Sequence, residues 1–107
     1  MGELGKLNGK SYVDYVDDIK NLKRNNNLEE AEKLLLQLID VVELEANAKK
    51  QGVAPWYYEQ LAIIYTKLKQ KNKAIEILER FALQKHAPGS SPPKLIARLE
   101  KLKKESI

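Results

Sequence analysis

The chain contains no cysteine, which excludes disulfides and thiolate zinc sites and suits a reducing, cytoplasmic setting. Its single histidine, His86, cannot build a multi-histidine metal centre. No apolar run approaches the roughly 20 residues of a membrane-spanning helix. The opening MGELGKLNGK has glycines where a signal peptide would carry its apolar region, so no secretion signal is expected. A G-x-x-x-x-G-K phosphate loop is missing as well.

Catalysis needs groups that take, give or hold protons, and few are arranged for it. His86 lies in a proline-glycine connector with no serine or carboxylate pattern to form a triad, so a structural or solvated role is expected. The pairs Asp17-Asp18 and Glu29-Glu30 are adjacent on helices and point to different sides. No enzyme activity, cofactor or metal is therefore expected.

What remains is a small helical protein. Its 107 residues, 43% apolar and 32% charged, are too apolar for disorder and too charged for a membrane protein. A single domain of this size buries roughly 60 to 68% of its unfolded surface. The net charge of +4 hides an asymmetry, because residues 1–40 carry six basic and eight acidic side chains and residues 41–107 carry thirteen and seven. A basic second half attracts anions, although such surplus also serves simply to solvate a surface.

Residues 1–10 hold Gly2, Gly5 and Gly9 without periodicity and are expected to be a flexible lead. Ser11 with Asp14 offers a capping box for a first helix over about 11–25, with Tyr12, Tyr15, Val16, Ile19 and Leu22 as its stripe. Asn25, Asn26 and Asn27 should end it, since asparagine tolerates the left-handed backbone. Asn27 caps a long second helix, about 28–50, whose Leu28, Ala31, Leu35, Leu38 and Val42 form a core face and whose last two turns should project past the first helix. Gly52 reads as its stop and Pro55 as the start of a third helix, about 55–68, apolar over most of its circumference. A fourth, about 72–85, packs back through Ala74, Ile75, Leu78, Phe81 and Ala82. After the connector His86 to Pro93, Ser91 and Pro92 mark a fifth helix, about 92–105, with a narrow stripe of Leu95, Ile96, Leu99 and Leu102. No β-branched alternation is seen, so an all-helical fold is expected.

The stretch Trp56 to Phe81, WYYEQLAIIYTKLKQKNKAIEILERF, repeats Tyr58, Leu61, Ala62, Tyr65 and then Ala74, Leu78, Phe81 at helical spacing. It resembles a tetratricopeptide repeat (TPR), whose skeleton is W-x2-L-G-x2-Y followed by A-x3-F. Setting Ala74 over Ala31 superimposes the two hairpin turns, with Leu22 under Tyr65, Leu35 under Leu78, Ile19 under Ala62 and Tyr15 under Tyr58. Going forward, Leu61, Ala62 and Tyr65 fall on Leu95, Ile96 and Leu99. The chain departs from the pattern at Lys69, where a turn glycine is common, and at Asp18, where a core leucine is. The resemblance implies an all-α domain over 11–105: antiparallel hairpins stacked as a short right-handed solenoid of about five helices. A generic helical bundle is the alternative.

The same resemblance implies a non-catalytic scaffold that binds a peptide or helix on the concave face formed by the first, third and fifth helices. The candidate partner-binding residues there are Val16, Lys20 and Arg24, then Trp56, Gln60, Ile63 and Lys67, then Lys94 and Lys101. Five are basic, so an acidic segment suits the groove, with Trp56 and Ile63 as its floor. Trp56 could equally be core packing. The family's lysine and asparagine clamp for a terminal carboxylate is not reproduced by Val16, Lys20 and Gln60, so chaperone binding is not expected. Two further readings are nucleic-acid association through Lys67, Lys69, Lys71, Lys73 and the basic last helix, and self-association or docking through an uncovered repeat end.

Overall fold

A computed structural model of the chain describes residues 4–105, so Gly2 of the expected lead lies outside the described residues. Among the described residues the class is all-α, with five α-helices, one 3₁₀ turn and one short hairpin. The chain divides into two compact units, Met1–Lys50 and Gln51–Ile107.

The first unit opens on an antiparallel hairpin, β1 (Lys6–Leu7) and β2 (Lys10–Ser11), which pairs Lys6 with Ser11 and Leu7 with Lys10. The lead is expected to be flexible and the fold all-helical, yet the chain carries regular β-structure at Lys6–Leu7 and Lys10–Ser11. Asn8 and Gly9 both adopt positive φ, 54° and 79°, as the two central residues of a type I′ turn must, and Asn-Gly is the preferred dipeptide there. Strands of two residues are too short for alternation to reveal them.

The hairpin also displaces the expected helix start. Ser11 ends β2 and makes no side-chain cap bond, Tyr12–Tyr15 form one 3₁₀ turn, and α1 runs over Val16–Arg24. Three contacts fasten the hairpin to these residues. The Tyr15 hydroxyl donates to the Leu7 carbonyl at 2.8 Å, the Tyr12 amide donates to the Gly5 carbonyl at 2.9 Å, and Lys10 Nζ meets Asp18 at 3.0 Å. The hydrogen bond to Asp18 holds the Lys10 ammonium above its usual pKa.

Helix α2 spans Leu28–Lys49. Asn27 does not cap it with its side chain; its carbonyl accepts the Ala31 amide at 3.1 Å, and Glu29 and Glu30 oppose the helix dipole in the first turn. The predicted core face is buried at Leu28, Ala31, Leu35, Leu38 and Val42. The last two turns do not stand bare: the Tyr12 hydroxyl donates to Glu45 Oε1 at 3.1 Å, and β1 packs on the helix. Lys50, at φ 54°, closes α2, so Gly52 is not its stop.

The second unit holds α3 (Pro55–Lys67), α4 (Lys71–Ala82) and α5 (Ser91–Glu105). Pro55 occupies the first turn of α3, where its missing N–H costs nothing. Tyr58, Leu61, Ala62, Ala74, Leu78 and Phe81 are fully buried, and the Tyr58 and Phe81 rings lie 5.1 Å apart. Alanine at 62 and 74 keeps the side chains at the α3–α4 contact small. Of the expected α5 stripe, Leu95 and Leu99 are buried and Ile96 and Leu102 are half-buried. Helix α4 stops three residues earlier than expected; on it Ala82 is exposed and Ile75 half-buried, and Ile77 is buried. Its end is satisfied locally, by the Gln84 amide on the Phe81 carbonyl at 3.0 Å and Gln84 Nε2 on the Arg80 carbonyl at 3.2 Å.

The α1–α2 and α3–α4 turns have one backbone geometry. Asn26 and Lys69 are both left-handed, at φ 60° and 59°. The amides of Asn26 and Asn27 donate to the carbonyls of Lys23 and Leu22, and those of Lys69 and Gln70 donate to Thr66 and Tyr65, at 3.1 and 2.8 Å in both turns. Each is a Schellman closure. The first bonds of the following helices, Ala31 to Asn27 and Ala74 to Gln70, are both 3.1 Å. The register that sets Ala74 over Ala31 therefore holds bond by bond through both turns.

Candidate functional site

In the first unit, Val16, Lys20 and Arg24 share a face of α1 because they recur every fourth residue. Val16 is half-buried, Lys20 is exposed, and the exposed Arg24 donates to Asn21 Oδ1 at 3.3 Å. Ile19, one residue before Lys20, is fully buried.

In the second unit, Trp56, Gln60, Ile63 and Lys67 follow one face of α3, with different exposures along it. Trp56 and Ile63 are half-buried and Lys67 is exposed. Gln60 departs from its expected role: it is only 9% exposed and already engaged within the protein, because α3 is enclosed on most of its circumference. Lys94 and Lys101, seven residues apart on α5, are both exposed.

Trp56 is braced and reachable at once. The Tyr57 ring meets it edge-on, with centroids 5.1 Å apart and planes at 83°. It also lines a cleft of about 130 Å³ with Pro55, Glu59, Ser91 and Leu95. The cleft therefore lies between the first turns of α3 and α5, neither of which carries an acidic residue in that turn. Of the residues that line it, Glu59 is the one that carries a charge. Sequence spacing placed Trp56, but not Glu59, Ser91 and Leu95, whose convergence depends on how α5 returns to α3.

His86 is tied into the fold. Its Nε2 lies 2.7 Å from the Phe81 carbonyl, an acceptor, so that nitrogen carries the proton. Its ring stacks on Phe81 at 4.3 Å and 14°. A shallow groove of about 510 Å³ opens beside it, with Pro88, Pro92, Ile96 and Glu100 in its walls. Among the described residues no group of three histidine or acidic side chains could hold a metal ion, and no helix is long and apolar enough to cross a membrane.

No family model matches the chain, and neither a curated protein nor a solved structure matches it.

Proposed function

We propose that the chain is a non-catalytic, TPR-like protein-interaction module whose second unit holds a segment of another protein at the Trp56 cleft. Trp56 carries the reading: it is a rigid aromatic side chain, fixed by Tyr57, yet open beside Leu95. Tryptophans placed in this way supply a disproportionate share of interface energy. The matched turns of the two helical hairpins support the repeat reading. Lys94, in the first turn of α5 beside Ser91 and Leu95, favours a ligand that carries a carboxylate next to an apolar anchor.

The test is selection from a displayed peptide library, followed by titration of the enriched peptides against wild-type and substituted protein. Trp56→Ala should weaken them by about 30-fold, the effect of losing a hot-spot residue of about 2 kcal/mol. Lys94→Glu, next to Leu95 in the first turn of α5, should weaken the acidic peptides selectively. Enriched peptides whose affinity is unchanged by Trp56→Ala, in a protein that retains its helical circular dichroism, would reduce Trp56 to a packing residue and defeat the proposal.

A further inference from the structure

The second unit carries eleven basic and five acidic side chains, and the fold gathers much of the surplus at one end. Lys67, Lys69, Lys71 and Lys73 surround the α3–α4 turn. Lys101, Lys103 and Lys104 lie in the last turns of α5. Lys71 Nζ reaches Glu105 at 3.4 Å and Lys103 Nζ reaches Glu79 at 3.0 Å, so the end of α5 lies against α4 and joins the two clusters. These two pairs engage Glu79 and Glu105. Lys67, Lys69, Lys73, Lys101 and Lys104 have no carboxylate partner among the described residues.

The turn itself does not need this charge. The α1–α2 turn has the same bonds and the same left-handed closure, yet α2 opens with Glu29 and Glu30, which favour its dipole. Helix α4 opens with Lys71 and Lys73 and no acidic residue. Cations at that helix end oppose the dipole and each neighbour repels the next. Lys71 and Lys73 thus oppose the α4 dipole, whereas Lys67, Lys103 and Lys104 suit the C-terminal ends of α3 and α5, and together they offer an anion one dense patch of positive charge.

We propose that this end of the second unit binds the phosphate backbone of duplex nucleic acid without reading its sequence. The choice among anions follows from magnitudes. Exposed lysine–carboxylate pairs contribute about 0 to 1 kcal/mol each, and a flexible acidic peptide must also be ordered, so five such pairs hold it poorly. A duplex carries a charge about every 1.7 Å of axis and releases condensed counterions when lysines approach, which makes exposed, unanchored lysines effective. Stacking on single-stranded bases has no platform here, because Tyr65, the aromatic ring under Lys73 at 5.9 Å, is only 5% exposed.

The experiment is fluorescence anisotropy with the full chain and a labelled mixed-sequence duplex of about 20 base pairs, titrated from about 50 to about 200 mM salt. Five phosphate contacts give a slope of log K against log salt near −4.5, and affinity falls on the order of 500-fold across that range. Lys69→Gln with Lys73→Gln and Lys104→Gln should bring the slope to about −2. Lys33→Gln with Lys49→Gln and Lys50→Gln removes equal charge elsewhere and should leave it near the wild-type value. Equal slopes for the two triple variants would overturn the proposal, as would no binding at the lowest salt. Tighter binding of a polyglutamate peptide than of the duplex would overturn the nucleic-acid assignment. Amide shift perturbations on the wild-type protein provide a readout independent of variant folding: shifts at Lys69, Lys73 and Lys104 are expected, and shifts confined elsewhere would refute the site.

Discussion

Replacing Gly52 by alanine should destabilise the second unit through a collision of one methyl group with backbone. Gly52 is not among the positive-φ residues, so alanine can adopt its conformation. A Cβ there would lie 2.7 Å from the His86 carbonyl carbon and 3.0 Å from the Ala87 Cα, and would overlap the Ala87 nitrogen. No flexible side-chain end is available to swing aside, so the Gln51 to Ala54 segment must move away from residues 85–87. That movement strains the Val53 amide bond to the Lys85 carbonyl, 3.0 Å long. Forced overpacking costs about 1 to 3 kcal/mol and a weakened backbone bond about 1 kcal/mol, whereas the stiffer unfolded chain returns about 0.4 to 1 kcal/mol. The net is a loss of about 2 kcal/mol.

Urea unfolding followed by Trp56 fluorescence and by circular dichroism measures it, and in a chain of this size the loss lowers Tm by about 10 °C. Gly9→Ala separates the two ways in which glycine is needed. Gly9 has φ 79° with nothing near its missing Cβ, so its cost is conformational strain alone, about 1 kcal/mol. A Gly52→Ala protein as stable as wild type would show that the two backbone segments are not in close approach, and the steric account would fail.

Tyr12→Phe removes the hydroxyl bonded to Glu45. Burial, followed by the Glu45 charge and hydrogen bond, raises the Tyr12 pKa above 10.0, so the folded state holds the phenolic proton more tightly than the unfolded one. Its contribution is fully present below about pH 10 and is lost as pH rises through the folded pKa. Wild-type protein should lose stability in that alkaline window more steeply than Tyr12→Phe, and parallel pH profiles would contradict the assignment. Lys69→Gly should stabilise the second unit by about 0.5 to 1 kcal/mol, because glycine adopts φ 59° without the Cβ penalty that lysine bears; an unchanged urea midpoint would contradict the strained turn.

The helices were legible because each carries its own period. Tyr58, Leu61, Ala62 and Tyr65 are buried where their spacing places them, and Leu35 and Leu78 are buried at equivalent places after equivalent turns. Elements defined by few residues were not legible. The Asn8-Gly9 hairpin has two residues per strand, below the length at which alternation speaks, and it took Ser11 away from the helix it was expected to cap. Gly52 was read as a helix stop because local punctuation cannot show that residues 85–87 pass beside it. Gln60 shows the same limit within the candidate site: its spacing from Trp56 and Ile63 is right for a shared face, but its burial depends on what surrounds α3.

The matched turns show what such reading can separate. Their geometry needs a residue that tolerates positive φ, a small alanine one turn into the next helix, and apolar partners before and after; both turns supply these with Asn26 or Lys69 and with Ala31 or Ala74. Nothing in that set fixes the charge of the exposed residues around it, and there the turns diverge, glutamates after one and lysines around the other. If stability alone chose those side chains, the dipole would favour the acidic arrangement at both helix starts. Lys71 and Lys73 run against that preference, and the end of α5 brings more lysines to the same place. The fold and the proposed nucleic-acid ligand thus call on different residues of one turn, and replacing the lysines while keeping Ala74 and the φ of residue 69 tests the proposal without disturbing the fold.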